Sequence, residues 1–138
     1  MPAAYVPARG DLVWLRFTPQ AGHEQAGTRP ALVVSPRDYN RRVGLALFCP
    51  ITSQVKGYPF EVALPVGLQV QGVVLADQLK SLDWRIRHAR YAGAAPPDVL
   101  REVVAKALAL IDPETGALSR SRPPVKAAPS PRNAIRWR

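Results

Sequence analysis

The chain has 138 residues, enough for one domain with a modest core, and carries 19 Lys and Arg against 10 Asp and Glu. No apolar run approaches the ~20 residues that cross a bilayer, so no membrane partner is expected. The single cysteine, Cys49, excludes an internal disulfide, and His23 and His88, far apart and without a cysteine cluster, offer no zinc site.

The net charge of +9 is shared by both parts of the chain. Residues 1–111 hold 13 basic and 8 acidic side chains, giving +5, and residues 112–138 hold 6 and 2, giving +4. A balance of this kind suits a polyanionic partner such as nucleic acid, although an arginine-rich composition alone would produce it too. The opening MPAAYVPARGD lacks the apolar stretch of a secretory signal, so a cytoplasmic location is expected.

In chain order, DLVWLRF (11–17) reads as a strand, with turn chemistry at Gly10 and Asp11 before it and Pro19 after it. A polar loop, 18–28, carries Gly22 and Gly27 around Glu24 and Gln25 and leads into RPALVVSP, a short buried strand over 30–35. The loop thus brings a carboxylate, Glu24, and a guanidinium, Arg29, to the mouth of a rigid strand, a pair able to handle a phosphodiester. An ordinary surface ion pair accounts for these two residues equally well. RDYNRRVG (37–44) is expected to be a polar turning connection. GLALFCPIT (44–52) is a third strand, in which Cys49 reads as buried and Pro50 marks an edge or bulge. Thr52, Ser53 and Gln54 therefore stand where a strand leaves the core.

Further on, YPFEVAL (58–64) alternates with period two, and GVVLADQLKSLDW (72–84) begins as a strand and turns polar at Asp77, Gln78 and Lys80. RIRHARYAG is expected to be a short strand with Arg85, Arg87 and Arg90 as a basic row on one face. From Pro96 to Ile111 the period changes: Leu100, Val103, Val104, Ala107, Leu108 and Ile111 recur at spacings of three and four, one stripe of an amphipathic helix. The predicted architecture is mainly β, a small barrel of short twisted strands closed by a C-terminal helix. Residues 112–138 hold five prolines, scattered arginines and no period, and are expected to be a disordered basic tail outside the domain 1–111.

Five separated motifs then carry a resemblance. They are GD-x-(V/I)-W at 10–14, EQAG-x-RPA at 24–31, P-x-T-(S/T)-Q at 50–54, KGYPFEV at 56–62 and ADQ-x-KS at 76–81. In this order over residues 5–111 they resemble the MazF/PemK family of toxin endoribonucleases from toxin–antitoxin modules, on the MazF side of that family. The resemblance implies an SH3-like small barrel (MazF/PemK/CcdB-like) and a homodimer. It implies sequence-specific, metal-independent cleavage of single-stranded RNA by 2′-OH attack, leaving 2′,3′-cyclic phosphate and 5′-OH ends and so inhibiting translation and growth. It also implies no cofactor, and a cognate antitoxin whose acidic C-terminal segment masks the site and with which the toxin binds DNA.

Within those motifs Arg29 and Thr52 are the positions implied as catalytic, with Glu24 a further candidate. Their chemistry fits: Arg29 offers a fork of donors to phosphate oxygens, Thr52 a neutral hydroxyl donor, and Glu24 a proton acceptor for the 2′-OH. Arginine as a base is disfavoured, its pKa lying above ~12. The RNA-binding candidates are Phe17, Gln25, Thr28, Ser53, Lys56, Gln78, Lys80, Arg85 and Arg87. Phe17 reads either as a base-stacking aromatic or as core, Trp84 as core or dimer interface, and Arg85 and Arg87 as an RNA guide or a solvated face. Relatives can carry histidine just before the motif arginine, where this chain has Thr28, so any acid–base role there is absent. Two other classes remain open at this point: a gyrase-poisoning toxin of the same fold, and a silent RNA-binding regulator.

Overall fold

The computed structural model describes residues 4–16 and 27–114. Its strands are β1 (Asp11–Arg16), β2 (Thr28–Val33), β3 (Leu45–Thr52), β4 (Glu61–Ala63), β5 (Val73–Leu75), β6 (Lys80–Asp83) and β7 (Arg90–Ala94). Helix α1 (Arg37–Val43) lies between β2 and β3, and α2 (Pro97–Ile111) follows β7. All the strand pairings are antiparallel, in the order β4-β5-β3-β2-β1-β7, with β6 also against β3. The ladder stays open between β4 and β7 among the described residues. Yet Val62 of β4 and Ala92 of β7 share one core with Leu12, Leu32, Cys49 and Val74, so the sheet curls until its two edges face the same interior. That is the mainly β, barrel-like architecture expected, with α2 laid over the opening.

Apolar residues sit on both faces of the central strands, because each face has its own cover. On β3, Cys49 and Ile51 join the interior sealed by Val99 and Val103 of α2, while Ala46 and Phe48 point the other way, toward Val13, Leu15, Val33 and Trp84. Trp84 is core rather than interface in this chain: its indole N–H donates to the Asn40 carbonyl at 2.9 Å within that second cluster. Cys49 is fully buried, and desolvation pushes its thiol up to about 12, with the Asp77 charge adding to the rise. It stays protonated at neutral pH and is no nucleophile.

Three expectations are corrected. Residues 37–43 form a helix instead of a turning connection. Asp38 in the first turn and Arg41 and Arg42 in the last complement the helix dipole, and Gly44 closes it in the left-handed conformation. Its inward residue is Asn40, which is polar and therefore leaves no apolar period. The Asn40 amide donates to the carbonyls of Pro7 (2.9 Å) and Ser35 (3.0 Å), and its oxygen accepts from the Ser35 hydroxyl (2.5 Å). Residues 84–88 are a turn rather than a strand. The Asp83 carboxylate accepts from the amides of Arg85 and Ile86, each at 3.0 Å, and His88 adopts φ 51°, which a strand does not allow. Arg85, Arg87 and Arg90 accordingly form no row on one strand face. In α2 the buried line is Val99, Val103 and Ala107: Val103 and Ala107 belong to the expected stripe and Val99 joins it, while Leu108 and Ile111, expected in the stripe, are exposed.

Candidate active site

Pro50 organises the site. The Leu47 carbonyl accepts from Val34 across the β2 edge, so even-numbered residues of β3, Pro50 among them, aim their backbone at the opposite edge. On that edge β6 pairs with residues 45–48 and β5 with residues 51–52. A residue without an N–H thus occupies the gap where one partner strand gives way to the other. Past this gap β3 ends at Thr52, half-buried, and the chain leaves through an exposed loop, 53–59.

The β2–β3 register runs Val33↔Phe48, Leu32↔Cys49, Ala31↔Pro50. Carried on at the same register, the two strands would set Arg29 opposite Thr52. Directly opposed side chains lie on one face with Cβ atoms about 5 Å apart. Arg29 and Thr52, the two strand residues implied as catalytic, thus stand two residues beyond the Ala31–Pro50 pair toward the same end of the sheet, with Arg29 exposed. On its other side Arg29 is paired with Leu15 of β1, which is buried. The Thr52 oxygen accepts from the Gln54 amide at 3.1 Å. With that lone pair engaged, the hydroxyl proton is available to a phosphate oxygen.

The charge around this end is positive. Arg16 closes β1 opposite Thr28, and its amide donates to the Arg87 carbonyl at 2.8 Å, which draws Arg87 to the same mouth. Arg16 was not among the residues singled out from the sequence; as the last residue of an apolar strand it reads as a solvated end. Across the loop from Thr52, the Glu61 carboxylate accepts from the amides of Lys56 (3.1 Å) and Gly57 (2.9 Å). Lys106 of α2 donates to the Pro59 carbonyl at 2.6 Å. The loop bearing Ser53 and Lys56 is thus fastened to the sheet and to α2, and Glu61 is spent on this fastening rather than on proton transfer.

The remaining candidates spread along β3. Lys80 lies opposite Phe48, four residues from Thr52 on the same face, about 13 Å along the strand. Gln78 is exposed in the link between β5 and β6, beside the Pro50 gap. Arg85 is not brought to the site: its guanidinium stacks over Trp84 at 4.8 Å and reaches the Arg41 carbonyl at 3.5 Å, beside the β3 start. Phe17, Glu24 and Gln25 lie outside the described residues. Among the described residues no three His, Cys, Asp or Glu side chains gather as a metal-binding group, and no helix is long and apolar enough to cross a membrane.

Comparison with known proteins gives the family. Over 111 residues, 80% of this chain and 99% of the relative, the sequence is 50% identical to the endoribonuclease toxin MazF of Escherichia coli K12. It is 35% identical over 102 residues, covering 71% of this chain and 77% of the relative, to the Escherichia coli endoribonuclease PemK. The fold superposes with a TM-score of 0.75 and 62% identity on a crystal structure of MazE–MazF from Deinococcus radiodurans, covering 78% of this chain and 96% of that one. With its residues 8–111 also matching the sequence profile of that family, the chain belongs to the PemK-like, MazF-like toxins of type II toxin–antitoxin systems.

Proposed function

We propose that the protein is the toxin of such a module and that it cuts single-stranded RNA at specific short sequences. The observation that carries this reading is the β2–β3 register, which up to the Ala31–Pro50 pair directs Arg29 and Thr52 toward the same exposed basic end of the sheet. The names of its relatives, endoribonucleases MazF, PemK and ChpB among them, support it. The basic end also supports an acidic antitoxin segment as the inhibitor, bound where the RNA backbone would lie. A homodimer in the cytoplasm is the working form we infer.

In the reaction, the ribose 2′-oxygen forms a bond to phosphorus while the bond from phosphorus to the 5′-oxygen breaks. Glu24 takes the 2′-OH proton, the departing 5′-oxygen takes a proton from a solvent water, and Glu24 returns its proton to the solvent. The products carry a 2′,3′-cyclic phosphate and a 5′-OH. As the phosphorane develops charge, the Arg29 fork binds its oxygens, and the Thr52 hydroxyl donates to one of them. Lys56, Gln78, Lys80 and Arg87 hold the flanking backbone and bases, with Ser53 and Thr28 at the rim. Residues 1–111 form the catalytic unit, and residues 112–138, with a charge of +4, add salt-dependent affinity for RNA.

The test is incubation of the purified protein with a long single-stranded RNA in excess EDTA, followed by mapping of the new 5′ ends. Discrete cuts at one short sequence, undiminished by EDTA, are expected. Binding without cuts, or trapping of gyrase on DNA by an RNA-inert protein, would overturn the reading.

A further inference from the structure

Gly72, in the segment that enters β5, is the glycine that comes closest to Thr52 among those in the described residues. Its φ is +120°, and a Cβ built on it would stand 2.2 Å from the Thr52 carbonyl oxygen, 2.8 Å from the Thr52 carbonyl carbon and 3.1 Å from the Ser53 Cα. The obstructing atoms are backbone, so no rotamer change relieves them. Two further contacts fix where Gly72 stands. Its carbonyl accepts from the Leu64 amide at 2.9 Å, and the next residue, Val73, is buried and paired directly with Thr52. Thr52 is thus seated against the bare Cα of Gly72.

We propose that Gly72 is a positioning residue for cleavage: by having no side chain it sets the Thr52 peptide, and with it the hydroxyl, at the distance from Arg29 that one phosphate requires. The inference rests on the reading of Thr52 as a phosphate-binding hydroxyl. Any side chain at this position must move the Thr52 peptide by about 1 Å to restore ordinary contact, and a displacement of that size at a reacting centre lowers rates by about 100-fold. Ground-state binding of RNA rests on many contacts and is expected to change little.

The natural control is Gly67, in the same connection between β4 and β5. It also has positive φ, +99°, but a Cβ there meets nothing within 4 Å. Gly67→Ala therefore carries comparable backbone strain without touching Thr52.

The experiment measures kcat and KM on an RNA oligonucleotide for Gly72→Ala, Gly67→Ala, Thr52→Val and the Gly72→Ala/Thr52→Val double variant. Affinity for the same oligonucleotide with 2′-deoxy at the cut site is measured in parallel. Expected are a fall of about 100-fold in kcat for Gly72→Ala with KM and deoxy-oligonucleotide affinity within about threefold, and no loss for Gly67→Ala. In the Thr52→Val background Gly72→Ala should add less than about threefold, because it acts through the missing hydroxyl. Assays are run where circular dichroism shows the variants folded. If Gly72→Ala has no such range, Val73→Ala carries the test: it loosens the residue paired with Thr52 and should lower kcat about tenfold with KM unmoved. Wild-type activity in Thr52→Val would defeat the underlying reading of the site. Loss in Thr52→Val with wild-type kcat in Gly72→Ala, or in Val73→Ala where that variant carries the test, would defeat this inference alone, as would equal losses in Gly72→Ala and Gly67→Ala.

Discussion

Replacing Arg29 by alanine is expected to lower kcat by about 1,000-fold while leaving the fold and most of the RNA affinity intact. The fold should survive because the guanidinium is at the exposed end of β2, outside both core clusters. Affinity should fall only by the share of one phosphate contact among many. The rate should collapse because the Arg29 fork is the donor set assigned to the phosphorane oxygens, and single donors of this kind are worth about 100- to 1,000-fold. Arg29→Lys separates charge from geometry. Lysine restores the positive charge without the planar fork, so about 100-fold of the loss should remain. Near-wild-type cleavage by the lysine variant would show that the fork is not used. Steady-state kinetics on one oligonucleotide, with circular dichroism as the folding check, read all of this.

Thr52→Val is the second large effect, expected at about 100-fold in kcat. Valine keeps the β-branched shape that suits the end of β3 and removes only the hydroxyl. The Gln54 amide loses its acceptor, but Gln54 is exposed and water replaces it, so stability should change by less than about 0.5 kcal/mol. Thr52→Ser keeps the hydroxyl and should stay within about tenfold of wild type. Since Arg29 and Thr52 act on the same phosphorus, the loss in the double variant should fall well short of the product of the single losses. Strict multiplicativity would mean that the two side chains serve different steps or different phosphates.

Much of this arrangement could be read from the residues alone, and the parts that could not have physical causes. The strands around 11–16, 30–33, 45–52, 61–63 and 73–75 announce themselves because apolar side chains meet a core in runs or with period two, and α2 does so by its change of period. Helix α1 escapes because its inward residue is Asn40, whose part in the core is a set of hydrogen bonds rather than apolar area. The turn at 84–88 escapes because three arginines at near-alternating positions imitate a strand, while the Asp83 carboxylate that folds it back acts through the backbone. Motifs point to Arg29 and Thr52 singly; that β2 and β3 carry them toward the same end of the sheet is a matter of register, which no short motif encodes. Gly72 gives no signal at all, since a glycine before Val-Val-Leu looks like punctuation until the opposite peptide is seen 2.2 Å from where its Cβ would be.

The most direct measurement uses two RNA oligonucleotides that differ by one atom, the 2′-oxygen of the nucleotide at the cut, with product masses read after incubation in EDTA. Intact RNA should give one fragment ending in a 2′,3′-cyclic phosphate and another beginning with a 5′-OH, and the 2′-deoxy partner should bind with similar affinity and stay whole. Cleavage of the deoxy oligonucleotide at the same bond, or a 5′-phosphate on the product, would contradict attack by the 2′-oxygen on a phosphate held between Arg29 and Thr52.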